Sequence, residues 1–439
     1  MEYYSTNDQA GLARVAPVSR ITTYWLPFAV VFAAMSFNFV LCFINTNIVG
    51  VTVAHVIGAE LIIISLALLV AFPNIGPSQI ILILGLLLYL MALSLIRAVS
   101  TPEGAFDVKI VRDFMIPIAF FLLGTRVSKL SYADTIVKIC ALVVTFFAIF
   151  EYFFLDLFLR YFDVLAYYVA RGTIEREQAQ YMTSQLYISG VRFEGRSLFP
   201  FLGEHRVSSI FLEPVSPGNF AVTLFFWALV RSKFQKKIYY GLFLMAIFLT
   251  IMADNRFGAF LCVAALCASL VPLRYLRTAI FSAPFVAVPV LLSLTLAFPN
   301  WGAAENSFAA RQVYSGYVLS GLSTLDWLGI GTASSDGDSG YAYTITQIGI
   351  IGFIVLWSLF MMLRGASAQF QMYRAFCGMY LAAILCVSAS PFSIKTASLL
   401  WFLLGVLAVV RVQVSNPLPA PSRGLAPASA PKLQTTPSQ

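Results

Sequence analysis

Apolar stretches of about twenty residues recur along the whole chain, separated by short polar breaks. They fall near residues 21–45, 50–72, 78–96, 113–125, 134–157, 217–230, 236–253, 257–272, 279–298, 341–363, 370–389 and 394–411. That length matches a bilayer core of about 30 Å crossed by an α-helix. A membrane β-barrel would show short segments of alternating polarity instead. The pattern predicts an all-α polytopic membrane protein with twelve transmembrane helices, the fourth and sixth being short. Five helices occupy 21–157, four occupy 217–298 and three occupy 341–411. Between them lie two long polar segments, 158–216 and 299–340. Residues 1–20 are polar and the first apolar run has span length, so no cleaved signal is expected. The tail 412–439 is rich in Pro, Ala and Ser and is expected to be disordered.

Composition agrees with this pattern. Of 439 residues, 59% are hydrophobic and 11% charged, with a mean hydropathy of +0.84, far from the soluble globular range. Short-loop cations set the orientation. Arg231, Lys233, Lys236 and Lys237 mark one loop, Arg274 and Arg277 a second, Arg364 and Arg374 a third, Arg126 and Lys129 a fourth. With twelve spans these loops share one side with both termini, which is therefore expected to be cytoplasmic. The net charge of +8 is then read as loop charge, and no nucleic-acid partner is expected. The six cysteines lie in apolar runs, without metal-ligand spacing or a disulfide framework.

The two long segments are thus expected outside, where loops of this length are commonly functional. The stretch 153–170, FFLDLFLRYFDVLAYYVA, reads as an amphipathic helix on the outer interface. Tyr161, Tyr167, Tyr168, Tyr181, Tyr187, Phe193 and Phe199 read either as an interfacial aromatic belt or as a platform for sugar rings. The outward cations are nearly all arginines: Arg97, Arg112, Arg160, Arg171, Arg176, Arg192, Arg196, Arg206, Arg256 and Arg311, against Lys109 and Lys395. Arginine offers a planar, permanently charged fork for phosphate. Pairing with local acids is the plainer reading for Arg171 and for Arg176, which sits between Glu175 and Glu177 in GTIEREQ (172–178), but it fits Arg206, Arg256 and Arg311 less well. Arginines at the outer ends of spans suit a lipid-linked pyrophosphate, whose charge sits at the headgroup plane.

Three blocks then look familiar. RVSSIFLEPVSPGNFA (206–221) resembles the Arg-x-x-Gly-x-Phe-x-x-Pro-Asn pattern of the O-antigen polymerase and ligase superfamily. Arg206, Phe211 and Pro214 keep register, while Ser209 stands for the glycine and Val215 for the asparagine. IMADNRFGAFLCVAAL (251–266) is similar to the family's Ser-Arg-Gly element, with Arg256 kept, Asn255 for Ser and Gly258 one residue late. In 311–353, Arg311, the LGIG turn (328–331) and the GIIG run (349–352) match the third block in order and spacing. Asp338 stands where the ligase type has its histidine, Ser339 where it has asparagine, and Gln347 where it has an acid. The departure points away from ligase and toward a Wzy-type polysaccharide polymerase.

The resemblance implies a GT-C-like fold and an undecaprenyl-pyrophosphate-linked oligosaccharide as substrate. It also implies metal-independent transfer with no cofactor, in a bacterial inner membrane. A chain-length regulator and export proteins are the further partners it implies. Arg206, Arg256 and Arg311 are the expected pyrophosphate clamp. Tyr187, Arg192, Arg196 and Tyr341 are the expected sugar contacts. Asp338 is the leading candidate base, followed by Asp336, Glu213 and His205, since a hydroxyl nucleophile needs a proton acceptor. Plainer readings stand beside these: turn chemistry for Asp336 and Asp338 in SSDGDSG, and a solvated loop pair for Glu204 and His205. His55 and Glu60 fall within the second span, five residues apart and so on different helix faces. Glu60 reads as a bundle contact, or as a sign of the rival class, a lipid-linked oligosaccharide transporter.

Overall fold

A computed structural model describes residues 22–100, 108–180, 185–192, 197–235, 238–298, 308–331, 338–365 and 367–410. Residues 1–20, the tail 412–439, Lys236, Lys237, Tyr181, Phe193, Arg196 and Asp336 lie outside the described residues. The chain runs α1 (Thr22–Asn47), α2 (Val53–Ala71), α3 (Pro77–Ser100), α4 (Val108–Gly124) and α5 (Leu130–Phe153). Short helices α6 (Leu155–Tyr161), α7 (Val164–Ala170) and α8 (Arg176–Gln180) follow. Next come α9 (Val215–Gln235), α10 (Tyr240–Met252), α11 (Arg256–Ala268) and α12 (Leu273–Ala297). The last are α13 (Phe308–Ser320), α14 (Thr324–Trp327), α15 (Gly340–Met362), α16 (Ala368–Ile384) and α17 (Ile394–Val409). Among the described residues the β pairing is an isolated bridge, Val191 to His205. A helix lies on each of the twelve predicted apolar stretches, and six helices are long and apolar enough to cross a membrane. This is an all-α membrane protein.

Burial explains why some of the apolar helices are short. Every residue of α17 from Ile394 to Leu407 is buried, so this helix forms the centre of the bundle. It crosses α4 at two glycines. A Cβ on Gly405 would meet the Phe121 carbonyl oxygen at 1.9 Å, and one on Gly124 would meet the Phe402 carbonyl oxygen at 2.0 Å. Small residues let two helix backbones approach this closely. By contrast α3 exposes leucines and isoleucines along most of its length, including Ile81, Leu84, Leu88 and Leu95.

Several sequence expectations change. The segment 153–170 is not an interfacial helix but two short ones, with non-helical residues at Phe154, Phe162 and Asp163. Phe158, Tyr167 and Tyr168 are buried in the core, so at these positions the aromatics are packing rather than a belt. His55 is not deep in a span. It is exposed at the start of α2, where Nδ1 lies 2.8 Å from the Thr52 hydroxyl and accepts from the Thr52 amide. Residues VSPG form the first turn of α9, where a missing proline N–H costs nothing. Arg231 and Arg374 are not loop cations, since each is 1% exposed within a helix.

Candidate functional site

The end of the bundle that carries the 185–214 segment is held by Glu151, a fully buried carboxylate in the last turn of α5. It takes a 2.8 Å contact from His205 Nε2, and it accepts from the backbone amides of Ser208 and Ser209. His205 therefore pairs with Glu151, not with Glu204, and its ring anchors the loop. Ser209 sits at φ +52°, and its hydroxyl donates to the Val144 carbonyl at 2.7 Å. A left-handed backbone favours glycine, which is the residue the resembling pattern has at this position.

Arg206 joins the first block to the second. Its Nε donates to the Ala253 carbonyl at 3.1 Å, Nη1 to Ser189 at 3.1 Å and Nη2 to Asp254 at 3.4 Å. The Val207 amide donates to Met252 at 3.1 Å. Asn255 caps α11 by accepting from the Gly258 amide at 2.7 Å, and its side chain donates to the Val215 carbonyl at 3.3 Å. A Cβ on Gly218 would meet Asn255 Nδ2 at 1.8 Å, so the first turn of α9 and the cap of α11 need that glycine. Arg256 follows the cap and is exposed.

The third block closes on itself. Gly329 (φ +78°) and Gly349 (φ +69°) lie back to back, and a Cβ on Gly349 would meet the Leu328 carbonyl oxygen at 2.6 Å. The LGIG turn thus seats on the kink that Gly349 makes in α15. Arg97 pins the junction through the Gly329 carbonyl at 2.8 Å and through Gln347. Ser339 meets Ser315 of α13 at 2.7 Å, which ties the helix bearing Arg311 to the start of α15, with Asp338 exposed beside it.

The blocks also meet electrostatically. Burial pushes the Arg206 guanidinium down, Asp254 opposes this, and the charges of Arg192, Arg311 and Arg256 lower it further, to about 10. Arg206 therefore feels arginines from its own loop and from the two other blocks. A second group lies alongside. Glu213 pairs with Lys395 Nζ at 2.7 Å, while Lys395 also reaches the Tyr168 hydroxyl at 3.4 Å and the Phe211 carbonyl at 3.3 Å. Burial pushes the Glu213 carboxyl up, but Lys395, the Ser216 hydroxyl and Arg171 outweigh it and hold the group below its ordinary value. The Tyr187 ring packs on Tyr168 with centroids 4.4 Å apart. Burial raises the Tyr187 hydroxyl's pKa, Glu213 and Asp338 raise it further, and Arg171 opposes them. Tyr187 thus lies within electrostatic reach of both carboxylates.

The predicted residues separate into those near this junction and those held elsewhere. Arg206 feels the charges of Arg256 and Arg311, and Tyr187 those of Glu213 and Asp338. Arg192 does not present a free fork: it is 8% exposed and donates to the Gly203 and Met252 carbonyls. Tyr341 is fully buried with its hydroxyl on the Ala382 carbonyl at 2.8 Å, so it offers no ring to a sugar. Three further residues stand in the site. Arg171 is not paired with the neighbouring glutamates. It lies over the Tyr167 and Tyr168 rings, donates to Asn38 and feels Glu213 and Glu60. Lys395 was marked in the sequence by being a lysine among outward arginines. Glu151 gave no signal, because its partners are backbone amides more than fifty residues away. Deeper in the helices, Arg112 bridges Glu60 and Asp113, and the Tyr343 hydroxyl donates to Asp113.

In comparisons with known proteins, no family model, curated protein or solved structure matches this chain.

Proposed function

We propose that this protein is a membrane glycosyltransferase that polymerises undecaprenyl-pyrophosphate-linked oligosaccharide units into exopolysaccharide or a related surface polysaccharide. The reaction takes place at the periplasmic face of a bacterial inner membrane. In this reading all twelve apolar helices cross the bilayer, both termini are cytoplasmic, and the arginine-bearing end of the bundle faces outward. The observation that carries it is that Arg206 of the first block is seated on the Ala253 and Asp254 carbonyls just before Arg256 of the second, and feels the charges of Arg256 and of Arg311 of the third.

A terminal hydroxyl of one lipid-linked unit attacks the anomeric carbon of another chain. The new glycosidic C–O bond forms as the bond to pyrophosphate breaks, and undecaprenyl pyrophosphate leaves with the electron pair. Arg256 and Arg311 stabilise the charge that develops on the leaving group. Arg206, with three N–H groups engaged by carbonyls, holds the loop and adds field rather than a direct fork. Asp338 accepts the hydroxyl proton, and Tyr187 lines the sugar path. Membrane vesicles given purified lipid-linked units should then yield long polymer. Arg256→Ala and Arg311→Ala should abolish it at unchanged protein level, and full chain length from both would end the clamp assignment. Asp338→Asn separates a base from a turn residue, since near-normal polymer removes it from the chemistry.

The buried Glu60–Arg112–Asp113–Tyr343 group favours a second reading, a transporter of the lipid-linked unit, because ionisable groups within helices commonly mark a transport path. In a deletion strain, single lipid-linked units accumulating on the outer leaflet support the polymerase. Accumulation on the inner leaflet supports the transporter. Polymerised but unattached chains would point instead to ligase-type transfer.

A further inference from the structure

At the far end of α15 from Asp338 lies a second concentration of arginine. The helix has 23 residues and is one of the six of membrane length, so its two ends lie about 30 Å apart. Around its C-terminal end a cavity of about 660 Å³ is lined by Arg277, Arg364, Arg374, Gln371 and the apolar side chains of Met361, Met362, Leu363 and Ala408. Three cations and no acid face this space, and none of the three takes part in an ion pair among the described residues.

Arg374 forms the floor. It is 1% exposed. Its Nη1 donates to the carbonyls of Met361 and Leu363, and Nη2 to Gln371 Oε1 at 2.8 Å. Its Nε–H is buried with no hydrogen bond. Gln371 in turn donates to the Gly365 carbonyl at 2.9 Å, so the wall is fixed. Arg277 and Arg364 are exposed at the mouth, and the Arg277 charge acts on Arg374. A buried, unopposed guanidinium beside two further arginines is unfavourable unless an anion joins them. The apolar half of the lining suits an acyl chain and the cationic half a phosphate.

We propose that this cavity binds the phosphate group of an anionic phospholipid, at the membrane face opposite the candidate transfer site. Arg277 and Arg364 grip the phosphate oxygens over the floor set by Arg374, and Met361, Met362 and Ala408 take the first part of the acyl chain. The site stands apart from the glycosyl-transfer reading and holds whether or not that reading does.

The test uses the full chain in neutral detergent, with bound lipid read by native mass spectrometry. Diphosphatidylglycerol, phosphatidylglycerol and phosphatidylcholine are titrated separately. Near a lipid surface each arginine contributes about a factor of 5, so Arg277→Gln with Arg364→Gln should weaken diphosphatidylglycerol binding roughly 25-fold. Phosphatidylcholine binding should stay unchanged. Both substituted residues are exposed, which keeps the fold, and an unchanged unfolding temperature checks this. Arg274→Gln is the control, because Arg274 lies over Tyr275 outside the cavity lining, and it should alter binding no more than about fivefold, the diffuse contribution of one charge near a lipid surface. Unchanged lipid binding in the double variant overturns the proposal. So does an equal loss in the control, which would mean diffuse attraction to interface charge. Displacement of lipid by millimolar inorganic phosphate, absent in the double variant, keeps the phosphate site and assigns it to a soluble phosphate source.

Discussion

One helix, α9, has a charged group at each end, and the two are built differently. Near its C-terminus Arg231 is closed in on every side. Nε and Nη2 grip both oxygens of Asp134 at 3.0 and 2.7 Å, and Nη1 reaches Gln369 at 3.3 Å. Asp134 also accepts from the Trp227 indole at 2.9 Å and from the Tyr239 hydroxyl at 3.2 Å. Just before the N-terminus, Glu213 pairs with Lys395 at 2.7 Å and accepts from the Ser216 hydroxyl, while the Tyr168 hydroxyl stands off at 3.5 Å. Beyond it lie Tyr187 and the exposed Asp338, and the exposed Arg256 follows the Asn255 cap that meets the first turn of α9. A bidentate, fully hydrogen-bonded pair is architecture. Lys395 meets Glu213 through one ammonium contact, which fixes the geometry of the pair less than a two-point fork does. Residue type does not separate the two, because both use one acid, one cation and tyrosines. The geometry of the cation–acid contact separates them, a two-point fork at one end and one ammonium at the other.

The largest effect should come from the closed end. Arg231→Ala leaves Asp134 buried without its cation, which costs about 3–5 kcal/mol. Thermal unfolding in detergent should show it, and an unchanged midpoint would erase the distinction between the two ends. Next, at the open end, Arg256→Ala should lower transfer about 100-fold or more while stability moves by less than about 0.5 kcal/mol. A variant that loses both together would make Arg256 structural. Third, Glu151→Ala strands the Ser208 and Ser209 amides, and about 1–3 kcal/mol of stability should go. Limited proteolysis should then cut within 203–209 before anywhere in the helices.

A smaller effect depends on pH. The folded-state pKa of Glu213 is depressed, so its pairing stabilises the fold above the ordinary carboxylate pKa. That contribution is lost as pH falls through the depressed value. The stability difference between the wild type and Glu213→Gln should therefore be constant near neutrality and shrink on acidification. A difference that grows with acid would reverse the assignment. Smallest of all, Ser209→Gly should fall within about 1 kcal/mol of the wild type, because relief of the left-handed backbone offsets the lost hydroxyl bond. Ser209→Val at the same site should clearly destabilise, which chemical denaturation would compare directly.

Apolar run length was enough to locate helices on all twelve stretches, because a lipid-facing or core-facing helix needs little beyond continuous apolar residues. Run length did not reveal depth. Arg231 and Arg374 looked like loop cations, yet each is buried, because their partners, Asp134 for one and the α15 carbonyls for the other, are remote in sequence or belong to the backbone. Of the candidate site, Arg206, Arg256, Arg311, Glu213, Tyr187 and Asp338 were legible as unusual charges or aromatics between spans. Tyr341 was misjudged because burial of one helix face depends on its neighbour, here α16. His205 looked like a reactive loop residue until Glu151 was seen to hold it.

The sequence by itself determined that this is an all-helical membrane protein with unusual arginines between its apolar runs. Apolar length and charge type are local quantities, readable residue by residue. Only the tertiary structure decided which of those charges are saturated and which stand open. Saturation is a sum over partners from distant segments: Glu151 with Ser208, Asp134 with Arg231, Lys395 with Glu213. A hydrogen bond depends on distances of a few tenths of an ångström, which no spacing along the chain encodes.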